Sequence, residues 1–384
     1  MRLRLASTLA LALTLAALAP AADPHAALFK DIQAVAQHKT VNSPAARAAW
    51  DRLVAAGPAV LPQLLQAMNT PDTVVANWLR TAFDRIVDTE LKNGGKQLDT
   101  DALLDFARNV KNQGRARRLA LDVVFEVKPT TKKALFWFTD MLNDPEFSYE
   151  AVEALREKAA ITKNPEESRA MLRRAFAACR DVPQAQKLAV DLKADGIAVS
   201  LAEHFGFLTD WYLIGPFDGQ LKKGFKTVYP PEEKIDLAAK LPGKSGRLEW
   251  KRYQAKEATS GLPARVVLVN LTEALGVVED AVGYAYTKFH VEQEQEVEFR
   301  GAGDDNFSVW VNGKKEFAFE EYRNGIRLDR HRFKVKLKAG ENTVLVKVVQ
   351  APGDPTNNEP NWEFLLRVVD LSGKGISLKS ALPK

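Results

Sequence analysis

The sequence predicts a chain of two parts, α-helical first and then an antiparallel β-sandwich. From about residue 26 to residue 205 the apolar residues recur at spacings of three and four, which is the period of a buried helix face. After Phe205 the pattern changes to short runs rich in β-branched and aromatic residues, with turn residues between them at spacings of roughly ten residues. The two periods predict two kinds of secondary structure in one chain.

The first residues predict an export signal. Arg2 and Arg4 precede an apolar run over residues 9–18, and the small residues 19–22 follow it, which is the pattern that signal peptidases accept. The run is shorter than the roughly 20 apolar residues that a membrane span needs. We therefore expect residues 1–22 to be a cleaved signal peptide, and the mature protein to be periplasmic or extracellular without a membrane span. Retention as an uncleaved anchor is the alternative.

Composition narrows the class of function. Cys179 is the only cysteine, so an exported product has no internal disulfide and depends on its apolar cores. Lys and Arg number 54 against 49 Asp and Glu, and so small a basic excess argues against nucleic acid as a partner. A length of 384 residues leaves room for about two or three domains.

Residues 23–205 are predicted to form a helical domain. Its helices are short and come in pairs, and a single pair cannot bury its own apolar face. We therefore expect the pairs to stack as a solenoid of repeats, with a non-repetitive helical bundle as the alternative. The predicted helices span residues 45–56, 60–68, a segment opened by residues 70–72, and residues 99–110, 114–125, 132–142, 149–160, 165–178 and 183–194.

Residues 206–246 are predicted to be a linker that contains one aromatic strand, and residues 247–384 a β-sandwich domain. Residues 222–246 are rich in Pro, Gly and charge, which is typical of an irregular connection. Asn312 and Gly313 have the tight-turn chemistry of an antiparallel hairpin. The predicted strands span residues 211–219, 247–254, 264–271, 282–291, 295–300, 306–311, 315–319, 327–337, 342–349 and 362–369.

Two resemblances follow from these segments. Residues 49–57 with 60–65, and residues 141–145 before 151–155, resemble HEAT repeats. The β-rich half is similar to galactose-binding-like and protective-antigen-type jelly rolls, as found in exported bacterial proteins. The matching segments are residues 303–306, 309–314, 337–348 and 362–367. The first resemblance implies a solenoid for protein contacts, and the second a jelly roll that binds carbohydrate or a cell-surface polymer.

The jelly-roll resemblance also implies a site. In calcium-dependent members of the protective-antigen type, two adjacent aspartates bind the ion, and the ion coordinates vicinal sugar hydroxyls. Asp304 and Asp305 match that pair of aspartates. Calcium takes six to eight oxygen ligands, so Asn306 and a second loop that includes Asn357 are expected to complete the shell. The other candidate calcium ligands in that loop are Asp354, Asn358 and Glu359. The alternative for Asp304 to Asn306 is turn chemistry, in which short polar side chains bond the local backbone.

Tyr322 and Arg323 are the further candidate ligand-binding residues. They lie in a polar loop, where Tyr322 could offer an exposed stacking face and Arg323 directional hydrogen bonds. A solvated hairpin with charged tips explains the same residues. Trp310 and Trp362 alternate with apolar strand residues and are predicted to fill the core.

No catalytic constellation is apparent in the sequence. It has no metalloprotease helix, no nucleophile elbow and no phosphate loop. Cys179 is interpreted as a small core residue. An ordinary polar strand face explains Asp329 and His331, two residues apart. The five histidines have no ligand spacing, and they are His25, His38, His204, His290 and His331.

The sequence thus favours an exported, non-enzymatic binding protein. In this hypothesis the sandwich binds carbohydrate or a cell-envelope polymer, calcium is a possible cofactor, and the helical repeats bind a protein partner. One alternative is a structural or assembly protein without a small ligand. Another is an accessory component of a polysaccharide-degrading enzyme system, which would need two carboxylates converging across a pocket.

Overall fold

The computed structural model describes residues 25–38, 43–131, 135–136, 141–258, 261–262, 266–322, 325–352 and 361–383. The predicted signal peptide lies outside these ranges. None of the helices within them is long and apolar enough to cross a membrane. The chain divides into two compact units, one of Met1–Leu135 with Asp144–Glu146 and one of Phe136–Asn143 with Phe147–Lys384.

The first unit consists of helices, and several of them begin at residues whose side chains cap the helix. The Ser43 hydroxyl accepts the backbone N–H of Ala46, and the Asp72 carboxylate accepts the N–H of Val74 and Val75, so each cap satisfies amides that a helix start leaves without partners. The described helices here are α1 (Ala26–His38), α2 (Pro44–Ala55), α3 (Leu61–Ala67), α4 (Thr73–Lys92), α5 (Thr100–Arg108) and α6 (Gly114–Val127).

A buried arginine ties residues 144–146 to this unit. Arg117 of α6 is fully buried, and its guanidinium bonds both carboxylate oxygens of Asp144, at 3.1 and 2.5 Å, and the carbonyl of Ala107 at 2.6 Å. A guanidinium that is removed from water needs such partners. Asp144 therefore belongs with the helices that precede it.

The second unit begins with helices and continues as sheets. The predicted helix over residues 165–178 is found with the same bounds, whereas the one predicted over residues 132–142 falls largely outside the described residues. The described helices of this unit are α7 (Ser148–Ile161), α8 (Pro165–Ala178), α9 (Val182–Ala194), α10 (Leu201–Phe205), α11 (Pro230–Glu233) and α12 (Leu271–Leu275). The predicted order, helices followed by an antiparallel sheet region, is confirmed.

Two antiparallel sheets pack against each other. One has the order β4-β1-β6-β11-β8-β9 and the other β10-β7-β12-β5, while β2 and β3 form a small ribbon. The rings of Trp211 and Phe364, one from each sheet, lie 5.1 Å apart between centroids. The strands are β1 (Asp210–Asp218), β2 (Leu241–Gly243), β3 (Gly246–Leu248), β4 (Lys251–Gln254), β5 (Val269–Asn270), β6 (Ala281–Val291), β7 (Gln295–Asp304), β8 (Asn306–Val311), β9 (Lys314–Phe319), β10 (His331–Leu337), β11 (Gly340–Gln350) and β12 (Glu363–Val369).

Residues 219–250, which we call the cover segment, lie on the outer face of the six-stranded sheet. The sequence predicts an irregular connection here, but the segment contains α11 and the β2-β3 ribbon. Its apolar residues, among them Tyr229 and Leu248, pack on Tyr284 and Tyr286 of β6 in one core cluster. The sheet is therefore buried on both faces, which explains why its central strands are mostly apolar.

Lys347 anchors the cover segment to the sheet. It lies in the middle of β11, and its side chain is 1% exposed. Its ammonium donates to the carbonyls of Phe225 (3.1 Å) and Thr227 (2.7 Å) and to the Glu232 carboxylate (2.8 Å). All three donor positions of the ammonium are thus used. Burial lowers the pKa of Lys347, and the bond to Glu232 opposes that shift.

Gly206 joins α10 to the four-stranded sheet. Its φ is +72°, and its carbonyl accepts the N–H of Val368 at 2.8 Å. A Cβ atom at this position would lie 2.2 Å from the carbonyl oxygen of Val368. Only glycine fits both the backbone conformation and the close approach.

We expect Gly206→Ala to lower the free energy of unfolding of the second unit by about 3 kcal/mol or more, because backbone atoms must shift in addition to the φ penalty. Gly313→Ala is the matched control. Its φ is +79° and no atom lies within 4 Å of the new Cβ, so a loss of about 1 kcal/mol is expected. Urea unfolding followed by circular dichroism measures both. Equal losses would contradict the close-contact explanation.

Candidate functional site

The predicted site residues Asp304, Asp305 and Asn306 lie where β7 passes into β8. Asp305 is 4% exposed, Asn306 is fully buried, and Asp304 is half-buried. The peptide bond between the two aspartates is cis. The turn is therefore part of the packed structure, and Asp304 is its most accessible member.

Backbone groups hold Asp305 in place. Its Oδ2 accepts the N–H of Ala351 at 2.8 Å, and its own N–H donates to the carbonyl of Val349 at 3.2 Å. The carbonyl of Ala351 accepts the N–H of Asp280 at 2.8 Å. The end of β11 thereby connects the predicted turn to a second acidic residue.

The Asp280 carboxylate is held by the start of the cover segment. Its two oxygens accept the N–H groups of Leu221 (2.8 Å) and Lys222 (3.1 Å). Leu221 and Lys222 have φ values of +53° and +72°, and successive amides in this region of backbone space form a concave anion-binding nest. The carboxylate of Asp280 compensates for a conformation that side-chain-bearing residues rarely adopt.

Tyr322 closes the cluster. Its hydroxyl donates to the carbonyl of Lys222 at 2.8 Å, and the Lys222 ammonium lies 5.3 Å from its ring centroid. Burial raises the pKa of Tyr322, as does the nearby Glu320, and the Asn306 side chain lowers it. Tyr322 is half-buried in the core cluster rather than presented as a fully exposed stacking face.

The Asn306 side chain links the turn to the residues that follow β9. Its Oδ1 accepts the N–H of Glu321 at 2.7 Å. Its Nδ2 is buried, and within the described residues no acceptor meets it in full hydrogen-bond geometry, although the Tyr322 hydroxyl is close enough for a hydrogen bond from the Asn306 side chain to lower the pKa of Tyr322. Because Asn306 is fully buried, its side chain serves the packing of the turn.

Further polar groups lie at the same end of the sheets. Gln350, the last residue of β11, is buried, and its Oε1 has no hydrogen-bond partner among the described residues. Glu363 is directly opposite Asp304 in the register of β12 and β7 and is 2% exposed. Side chains alternate along a strand, so Gln350 lies on the face opposite that of Val349, the cross-strand neighbour of Asn306.

The turn fits part of a calcium shell. Asp304 and Asp305 supply the carboxylates that calcium prefers, but Asn306 directs its Oδ1 to the Glu321 amide. Among the described residues no group of three carboxylate, histidine or cysteine side chains could hold a metal ion. The second loop, with Asp354, Asn357, Asn358 and Glu359, lies outside the described residues, as does Arg323.

The fold thus brings together four of the predicted site residues. Asp304, Asp305, Asn306 and Tyr322 form one cluster. Sequence reasoning missed Asp280 and the Lys222 backbone, which complete the ring of hydrogen bonds. Nothing in the sequence indicates that Asp280 and the backbone at Lys222 meet, because about 60 residues separate them.

Three further residues considered as chemical candidates, Trp310, Trp362 and Cys179, are buried. Trp362 is 1% exposed and donates to the Val348 carbonyl at 3.2 Å, and Trp310 is 7% exposed, so both lie in the core as predicted. Cys179 is buried, and burial raises the pKa of its thiol to about 12. A thiol with that pKa stays protonated at neutral pH and is a poor nucleophile.

Asp329 and His331 do not form a joint site. The Asp329 carboxylate bonds the Arg367 guanidinium through both oxygens, at 2.7 and 2.5 Å, and Arg300 at 3.3 Å. His331 packs among aromatic rings, with Phe319 at 4.3 Å between centroids, and burial lowers its pKa. Asp329 is therefore the counter-ion of a buried arginine.

Comparisons with known proteins identify no family. No family model matches this chain, and no curated protein matches it significantly. Among solved structures, an anti-sigma factor domain-containing protein aligns with a TM-score of 0.26 at 13% identity, over 46% of each chain. A β-glucuronidase from an uncultured Clostridium species aligns with a TM-score of 0.24 at 12% identity, over 43% of this chain and 29% of that one.

A β-glucosidase from Kluyveromyces marxianus aligns over more of this chain. Its TM-score is 0.27 at 11% identity, over 74% of this chain and 36% of the glucosidase. This chain therefore spans less than half the length of each of the three structures. Likenesses of this size carry no argument about fold or function.

We expect Asp329→Asn to destabilise the second unit by about 3 kcal/mol or more, because Arg367, 2% exposed, would remain buried without its counter-ion. Burial raises the pKa of Asp329, but Arg367 and Arg300 lower it by more, so the net pKa lies below the usual range for an aspartate. The stabilisation is therefore fully present above the ordinary aspartate pKa of about 3.9 and is lost as the pH falls through the lower folded-state pKa.

Urea unfolding at neutral pH and below pH 3.8 measures this effect. Arg332→Gln serves as the control, because Arg332 is 55% exposed and 4.0 Å from Asp329, so it should change stability by less than about 0.5 kcal/mol. A stability difference between wild type and Asp329→Asn that stays constant down to the lowest pH would contradict the assignment.

Proposed function

We propose that this protein is an exported binding protein whose sheet-containing half binds carbohydrate or a cell-envelope polymer at the cluster of Asp304, Asp305, Asn306 and Tyr322. The observation that carries the proposal is that hydrogen bonds through Ala351, Asp280 and Lys222 join the turn of Asp304 and Asp305 to Tyr322, so that a half-buried carboxylate and a half-buried aromatic ring lie in one cluster. A sugar offers hydroxyl groups to the first and an apolar face to the second.

The chemistry of the cluster favours binding over catalysis. One oxygen of Asp305 and both oxygens of Asp280 are already bonded to backbone amides. A general acid or base must be able to exchange its proton with the substrate, and carboxylates held in this way are poorly placed for it. We therefore infer a non-enzymatic function.

Calcium fits this proposal as an optional cofactor. Asp304 and Asp305 would hold the ion, with Asn357 in the second loop as a further ligand. A bound calcium ion would orient vicinal sugar hydroxyls by direct coordination. Arg323, next to Tyr322 in the sequence, would add hydrogen bonds to the same ligand.

The remaining parts of the proposal rest on the sequence patterns. The helical half would be a HEAT-like solenoid that contacts a protein partner, and the sheets would have jelly-roll topology of the galactose-binding-like kind. The pattern of residues 1–22 supports export to the periplasm or beyond.

An assembly protein without a small ligand is the second candidate. The observation in its favour is that the Asp305 carboxylate accepts the N–H of Ala351, at the end of β11, so this carboxylate already serves the fold. The two candidates differ in whether Asp304, the half-buried member of the pair, has a ligand. The following measurements separate them.

Calcium should raise the thermal midpoint of the wild-type protein by about 5 °C or more at saturation, because it binds the native state alone. Asp304→Asn should abolish most of this rise, whereas Glu292→Gln, an exposed acid in the turn between β6 and β7, should leave it unchanged. Differential scanning calorimetry with calcium and with a chelator measures the shift. Equal midpoints in calcium and chelator would remove calcium from the proposal.

Glycan-array binding should depend on the Tyr322 ring. We expect Tyr322→Ala to weaken binding by about tenfold or more, since the apolar face is lost. Tyr322→Phe keeps that face and loses only the bond to Lys222, so its affinity should stay within about threefold of wild type. If no glycan binds with or without calcium, the assembly candidate replaces this proposal.

A further inference from the structure

A separate cavity of about 190 Å³ lies between the cover segment and the six-stranded sheet. Its volume is that of about six water molecules at roughly 30 Å³ each, which is the space that one small ring-shaped molecule would occupy. Residues that line it include Pro231, Glu232, Ile235, Tyr286, Trp310 and Thr343. None of them belongs to the cluster around Asp304.

The floor of the cavity is aromatic. Trp310 and Tyr286 are both cross-strand neighbours of Leu345 in β11, so the indole and the phenol ring flank the same residue. Each is less than 8% exposed, and Trp250 packs against Tyr286 at 6.3 Å between centroids. Their packing fixes the orientation of the floor before any ligand arrives.

The wall contributed by the cover segment is polar. Oε1 of Glu232 accepts from Lys347 (2.8 Å) and from the Tyr284 hydroxyl (2.5 Å). No donor in the described ranges bonds its other oxygen, Oε2. Across the cavity Thr343 supplies a hydroxyl, which can donate and accept. An acceptor and a hydroxyl thus flank an aromatic surface.

The charges that line the cavity are balanced. Lys347 neutralises Glu232, and Glu233 and Lys234, which both line the cavity, carry opposite charges. The summed charge of these four groups is zero, which gives no net attraction to a cation or to an anion. The cavity therefore favours a neutral molecule with hydroxyl groups and one apolar face.

We propose that this cavity is a second binding site, which takes a single neutral sugar ring with one face on Trp310 and its hydroxyl groups toward Glu232 and Thr343. The site does not depend on calcium or on the Asp304 cluster, because it shares no lining residue with that cluster. It goes beyond the function proposed above, and either site could exist without the other.

The indole N–H resonance of Trp310 provides a direct test. In full-length protein labelled with ¹⁵N at tryptophan, the Trp310 signal is identified by its loss in Trp310→Phe. Titration with neutral monosaccharides (glucose, galactose and mannose), in the presence of a calcium chelator, should shift this signal in a saturable manner. No saturable shift with any of the three sugars would overturn the proposal and leave a cavity that holds water only.

A cavity-filling variant gives the matched comparison. Thr343→Phe should occupy the space and weaken sugar affinity by about tenfold or more, while Lys334→Phe, which adds the same side chain at an exposed position of the other sheet, should leave it unchanged. Asp304→Asn should also have no effect on the Trp310 shift. Sugar binding that survives in folded Thr343→Phe, or that is lost in Asp304→Asn, would contradict a separate site.

Discussion

The ammonium group of Lys347 is the interaction on which the second unit depends. A charge in the middle of a central strand is costly unless every donor is bonded and a counter-ion is present, and the cover segment supplies two carbonyls and the Glu232 carboxylate. Without that segment the outer face of the six-stranded sheet would expose Tyr284, Tyr286 and Trp310 as one apolar patch. Burial of Lys347 thus depends on the cover segment, and the same segment buries the outer face of the six-stranded sheet.

The same segment builds both candidate sites. Near its beginning, Leu221 and Lys222 hold the Asp280 carboxylate and receive the Tyr322 hydroxyl. Near its middle, Glu232 bonds Lys347 and lines the cavity above Trp310. Lys347 bonds Phe225, Thr227 and Glu232, which follow Lys222 closely in the cover segment. This one lysine therefore helps to position both candidate sites. Loss of the Lys347 contacts would therefore disturb ligand binding at a distance, without any change in the residues that touch a ligand.

Local chemistry decides how far the sequence predicts this structure. The helix over residues 165–178 and the strand over residues 306–311 are found as predicted, because a capping Asn164 and the Asn312-Gly313 turn define their ends. The cover segment has no regular apolar period in its sequence. Its structure depends on contacts with strands far along the chain, which local sequence does not reveal. Asn306 was predicted from the jelly-roll resemblance and Tyr322 from its polar loop, and the hairpin of β8 and β9 brings the two together, whereas nothing local links Asp280 to Lys222.

Most of the acidic side chains near the two sites are already neutralised by the protein itself. Backbone amides hold Asp280 and one oxygen of Asp305, and Lys347 holds Glu232. What remains for a ligand are uncharged polar groups, such as the Thr343 hydroxyl, and the faces of aromatic rings. Such groups discriminate by hydrogen bonding and shape rather than by charge. In the turn itself Asp304 is half-exposed, so a calcium ion bound there would coordinate sugar hydroxyl groups directly.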